Sequence, residues 1–180
     1  MKTRSLRAAT LAVLTACLLA GCSTDTTHGL CPGAAILAST SSLTVLRKGA
    51  QGDPAGEIYT AVMTDVKTDC DFDKDARTTS SNLAIGFRAT RPPSGAAAQY
   101  SVPYFVVATQ AGGHILNKRT FIAQFSFAPG SGSAVFSDTV AQTLIDLEHG
   151  KRPADYEILV GFQLTQDQLD YNKKMGQYAP

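Results

Sequence analysis

The chain has 180 residues, 16 Lys and Arg against 15 Asp and Glu, and a formal net charge of +1. That near-neutral balance leaves no basic footprint for nucleic acid. At 44% hydrophobic residues, the composition is that of a globular chain rather than a disordered one.

The first element is an export signal over residues 1–21. Lys2, Arg4 and Arg7 precede an apolar run, Ala8 to Leu18, of about a dozen residues, too short to span a bilayer. The run closes on Leu19-Ala20-Gly21-Cys22, in which two small residues admit a peptidase and a thiol can carry a diacylglycerol thioether. An ordinary secretory signal would instead show a small-x-small cleavage site, which is poorly formed here. Removal of residues 1–21 leaves about 159 residues, enough for one domain with a proper core, with 13 bases against 15 acids and a net charge of about −2.

This stretch resembles the signal and first mature residue of bacterial lipoproteins. The resemblance implies lipidation of Cys22, and acyl chains at about 0.8 kcal/mol per buried methylene would hold the chain on a membrane. Ser23 follows that cysteine where, in Gram-negative lipoproteins, Asp retains a protein in the inner membrane, so the resemblance implies an outer-membrane anchor facing the periplasm. Residues 22–30 are a polar tether containing His28. Fully extended, it reaches under ~30 Å, so the domain is expected to work close to the membrane.

Residues 31–180 are expected to form a single all-β domain, an immunoglobulin- or fibronectin type III-like antiparallel β-sandwich with a short C-terminal helix, because short strand-like runs alternate with turn residues. Cys31 and Cys70 are the two thiols left in it, and in an oxidising compartment an isolated pair is most simply a disulfide. Ala34–Ala38 and Leu43–Leu46 read as the first strands. Ile58 to Val66 alternates with period two, which predicts Ile58, Val62 and Val66 on one face, and Asp69 to Ser80 reads as a connection. Leu83, Ile85 and Phe87 alternate in the next strand.

Tyr100 to Ala108 is apolar on both sides, as a central strand should be, although Pro103 predicts a bulge or an edge there. Ala111-Gly112-Gly113 reads as a hairpin turn. Phe121, Ala123, Phe125 and Phe127 share one face of the following strand and are candidate core. Val135 to Leu147 reads as a strand with Val140, Leu144 and Ile145 inward, and Tyr156 to Leu164 as another. Leu147 and Tyr156, separated by a turn with Gly and Pro, look like the tyrosine corner of fibronectin type III and immunoglobulin-like sandwiches. Thr165 and Gln168 form a capping-box pattern that starts a helix over about Gln166 to Lys174, with Leu169 as its apolar contact. Phe162-Gln163-Leu164-Thr165 and Gln168-Leu169-Asp170-Tyr171-Asn172, with Tyr104-Phe105-Val106, resemble stretches of small proteobacterial envelope lipoproteins; that resemblance implies an envelope location and no particular activity.

Candidate chemistry is sparse. Asp69, Asp71, Asp73 and Asp75 alternate over a short stretch and could gather a hard cation such as calcium. The loop lacks the Gly and Glu of an EF-hand, while Lys74 and Arg77 neutralise part of its charge, so a solvated loop is the favoured reading. His114 and His149 sit beside glycine at turns, where histidines are usually surface residues; a small periplasmic hydrolase built on either is one alternative function, and a calcium-dependent binding module using the Asp69–Asp75 loop is the other. Tyr100, Tyr104, Phe105 and Tyr171 are candidates for an exposed aromatic patch, although most aromatics at strand spacing are core. No phosphate-cradling glycine loop or Cys-x-x-Cys pair appears, so no cofactor is expected. The expected function is a non-enzymatic module, anchored in the membrane by its lipid, that binds an envelope protein partner or aids its assembly.

Overall fold

The computed structural model describes residues 31–177, apart from Gln51, Pro93, Ser94 and Ala111. The signal, Cys22, His28 and the tether lie outside the described residues. Among the described residues, eight strands and one α-helix follow in order: β1 (Gly33–Ile36), β2 (Ser42–Leu46), β3 (Glu57–Asp73), β4 (Thr78–Thr90), β5 (Ala98–Gln110), β6 (His114–Phe127), β7 (Ser133–Asp146), β8 (Tyr156–Phe162) and α1 (Gln166–Met175). They form two four-stranded sheets, ordered β1-β8-β5-β6 and β2-β3-β4-β7. Among the described strands only β1 pairs parallel, to β8. This is the expected all-β sandwich with a C-terminal helix. It shares the architecture of immunoglobulin-like domains, with a strand order of its own in which β2, β3 and β4 run consecutively.

The alternating pattern explains the core directly. Leu83, Ile85, Phe87 and Ala89 of β4 are at most 2% exposed, as are Val102 and Tyr104 of β5. The expected column on β6 also points inward, with Phe125 stacked on Phe136 of β7 at 4.6 Å and Phe136 on Phe87 at 4.9 Å. Fully burying one such side chain contributes roughly 1.5–3 kcal/mol. The aromatic residues that the sequence offers as an exposed patch are covered instead: Tyr104 lies in this interior with Tyr100 half-buried beside it, while Phe105, on the opposite face of β5, and Tyr171 of α1 are buried outside it.

Three departures from simple alternation come from bulges or strand ends. In β3 the pairing shifts between Met63 and Asp65: before the shift Tyr59, Ala61 and Met63 face the core while Val62 is exposed, and after it Val66 packs against the core. The expectation that Ile58, Val62 and Val66 share a face fails because the extra residue flips the strand. Thr64 and Asp65 fold over Gly86, where a Cβ would stand 2.2 Å from Asp65 Oδ1. In β7 Leu144 points outward, 57% exposed, while Val140 and Ile145 point inward. The ladder there shifts opposite Ser81 and Leu83, and Gln142 takes a positive φ of 54°. Pro103 sits in neither a bulge nor an edge strand. Its carbonyl accepts from the Gln163 amide, so the missing donor faces the side where β8 has just ended.

The Asp69–Ser80 connection is shorter than the sequence suggested, because β3 runs on to Asp73 and β4 starts at Thr78. The tyrosine corner is present: the Glu148 amide donates to the Tyr156 hydroxyl at 2.8 Å, beside buried Leu147. The capping box at Thr165 and Gln168 also forms, and the helix ends on Gly176 at φ 63°. Leu169 is only half-buried, and the helix is seated instead by Tyr171 and by fully buried Asn172, whose Nδ2 donates to the Ser42 carbonyl at 2.8 Å.

Candidate functional site

The sequence-derived candidates do not converge. Cys31 and Cys70 form a disulfide with Cα atoms 5.8 Å apart, which ties the start of the domain to β3. Asp69, Asp71 and Asp73 lie on β3, alternating outward between half-buried Cys70 and Phe72, and Asp75 lies in the following turn. Asp73 Oδ1 is occupied locally, accepting from the Asp75 and Ala76 amides at 2.9 Å. Among the described residues, no three His, Cys, Asp or Glu side chains are grouped to hold a metal. His114 opens β6 and His149 lies in the β7–β8 connection; both are exposed. Among the described residues, neither ring is hydrogen-bonded to a Ser hydroxyl or a carboxylate, so the structure assembles no triad around them.

The site that the fold does build lies on one lateral side. There the two sheets end in β6 and β7, each 14 residues long, joined at one end by a short loop. Toward their other ends they part, leaving a cleft of about 170 Å³ lined by Val106, Ala108, Asn117, Arg119, Phe121, Gln142, Thr143 and Leu144. The floor is apolar and the rim is polar. The Arg119 guanidinium lies 5.1 Å from the Phe121 ring centroid, and among the described residues no carboxylate pairs with it. Thr143 is 8% exposed and its Oγ1 finds no hydrogen-bond partner among the described residues, leaving a desolvated polar atom at the cleft. Beside it, Gln142 holds the left-handed backbone that non-glycine residues rarely adopt, fixed by a hydrogen bond from its amide to Asn82 Oδ1 at 3.1 Å.

The cleft is joined to the core through aromatic rings. Phe121 stacks on Tyr104 with centroids 5.4 Å apart, and the Tyr104 hydroxyl donates to Asp138 Oδ2 at 2.9 Å. Burial pushes the Tyr104 phenol well above its ordinary pKa, and the hydrogen bond to Asp138 and that residue's charge push it further. Tyr104 therefore stays a neutral donor across the physiological range, holding β5 to β7 behind the cleft.

None of the cleft's polar residues was found from sequence. In the sequence the alternating apolar column starts only at Phe121, which leaves Asn117 and Arg119 without an element, and a bulge with no Gly or Pro to mark it hides Gln142 and Thr143. The Lys118-Arg119 pair next to an aromatic column was the one available signal. Comparison with protein-family models, curated proteins and solved structures gives no match, so the reading of the cleft rests on its own geometry.

Proposed function

We propose that this chain is a lipid-anchored outer-membrane lipoprotein facing the periplasm, and that its domain is a binding or envelope-assembly module rather than an enzyme. The address is supported by the Leu19–Cys22 motif with Ser23 after it and by a disulfide, a bond that persists in oxidising compartments.

The observation that carries the binding reading is the open side between β6 and β7. Unpaired edge strands offer backbone donors and acceptors to an incoming chain, and strand addition is a common way to recognise an extended segment. Size selects the kind of occupant. Pockets for drug-sized ligands run to roughly 300–1,000 Å³, whereas a cavity of about 150 Å³ holds a benzene-sized group. At about 170 Å³, this cleft suits one side chain of a protein partner rather than a small-molecule substrate.

Two experiments test the reading. Palmitate labelling should vanish in Cys22→Ala, and unchanged labelling would sink the lipoprotein assignment. A photo-crosslinking amino acid at Leu144 should capture one partner in intact cells, and Arg119→Glu should abolish the capture. The same probe at Lys67, on the outer face of β3, should capture none. Equal capture from both positions would remove the cleft from the account.

A further inference from the structure

Cys31, where the expected tether ends, and the β5–β6 hairpin tip lie at the same pole of the domain. Gly33, two residues after Cys31, pairs with Glu157; Glu157 pairs with Thr109, and Thr109 with Ile115. This row crosses the whole sheet, so β1 and Ile115 stand three strand spacings apart, about 14 Å at ~4.8 Å each. The β5–β6 hairpin turns at this pole through Gly112 and Gly113, with φ of 103° and 87°, and β6 emerges from it with every residue from His114 to Thr120 exposed.

What emerges is apolar and basic. Ile115 is 61% exposed and Leu116 39%. Lys118 follows, with its ammonium 4.5 Å over the Phe105 ring on the outer face of the sheet, and no Asp or Glu occurs in His114–Phe127. An exposed Ile-Leu pair next to a cation is poorly matched to water. It is well matched to the boundary of a bilayer, where apolar side chains enter the acyl region and a cation meets headgroup phosphate.

We propose that the β5–β6 hairpin tip is a membrane-docking element, with Ile115 and Leu116 entering the lipid boundary and Lys118 meeting phospholipid phosphate, so that the domain stands with its Cys31 pole on the lipid surface. This rests on the anchor proposed above. A tether of nine residues from Cys22 brings that pole to the membrane, and the tip then fixes the orientation. The cleft between β6 and β7 is thereby held beside the membrane, opening sideways along it.

The chain contains no Trp, so a single introduced Trp is an unambiguous depth probe. The full lipidated protein carrying Leu116→Trp, and separately Ile115→Trp, is reconstituted in phosphatidylethanolamine–phosphatidylglycerol vesicles, with Val135→Trp at the far end of the sandwich as the comparison. Docking predicts a blue-shifted emission quenched by brominated lipid at both tip positions, and an unshifted, unquenched emission at position 135. Protein that floats with the vesicles but shows no quenching at the tip, or equal quenching at the tip and position 135, overturns the docking and leaves the anchor standing. Protein that does not float with the vesicles overturns the anchor and the docking together.

Discussion

The two lateral sides of the sandwich solve the same problem in opposite ways. On one side the sheets end in short strands, β1 with four residues and β2 with five. The Cys31–Cys70 bond ties the chain just before β1 to β3, and α1 packs over β2 through Asn172. On the other side β6 and β7 end the sheets, and among the described residues no further strand pairs with either. The four large apolar side chains more than half exposed among the described residues are Ile115, Ile122, Val135 and Leu144, and all four lie on these two strands. Long bare edges invite pairing with other chains. A fold that covers one pair of edges and leaves the other bare with an apolar cleft between them has a side for stability and a side for contact.

The largest expected effect is on the closed side. Cys31→Ala combined with Cys70→Ala should lose roughly 4 kcal/mol in urea unfolding, the chain-entropy value for a loop of this length; a loss below about 1 kcal/mol would show that the closed side does not depend on the bond. Next comes Gly161→Ala. A Cβ there would meet Thr40 Oγ1 at 2.0 Å and the Phe105 ring at 2.7 Å, and such overpacking costs roughly 1–3 kcal/mol. An unchanged urea midpoint would mean that the segment over β8 yields freely.

The Tyr104–Asp138 hydrogen bond behind the cleft should make stability depend on pH at the alkaline end. Because the Tyr104 pKa lies above its unfolded value of 10.0, the folded state holds that proton more tightly. The associated stability is fully present below pH 10 and is lost as the pH rises through the folded value. Alkaline unfolding should therefore be shallower in Tyr104→Phe, and an identical pH profile would contradict the buried donor. The smallest effect on stability is expected at the open rim. Leu144→Ser and Ile122→Thr should each stay within about 0.5 kcal/mol of the parent, as exposed positions usually do, although Leu144→Ser should weaken partner capture. A large destabilisation by either would make the open side structural.

The closed side was far more legible in the sequence than the open one. The alternation of Leu83, Ile85 and Phe87, the Cys31–Cys70 pair, the Leu147–Tyr156 corner and the Thr165–Gln168 box all rest on local rules of alternation, spacing and capping and appear as those rules predict, whereas the Ile58–Val66 alternation is broken by the bulge after Met63. The open side depends on what local rules do not encode. Alternation places Leu144 in the core because nothing in the sequence marks the bulge at Gln142. Arg119 gained its place at a cleft only through the parting of β6 from β7, which is a tertiary event. The Asp69–Asp75 stretch shows the converse: a dense carboxylate pattern in sequence becomes an outward strand face and an Asx turn.

The most direct test of the contrast between the two sides is amide hydrogen exchange of the lipidated protein, free in detergent and within native envelope vesicles. A partner that adds to the open edges should protect amides along His114–Ile122 and Val135–Leu144, leaving β2 and the start of β3 unchanged. Protection confined to β2 and β3, or no difference between the two states, would contradict the assignment of the open side as the surface where this protein works.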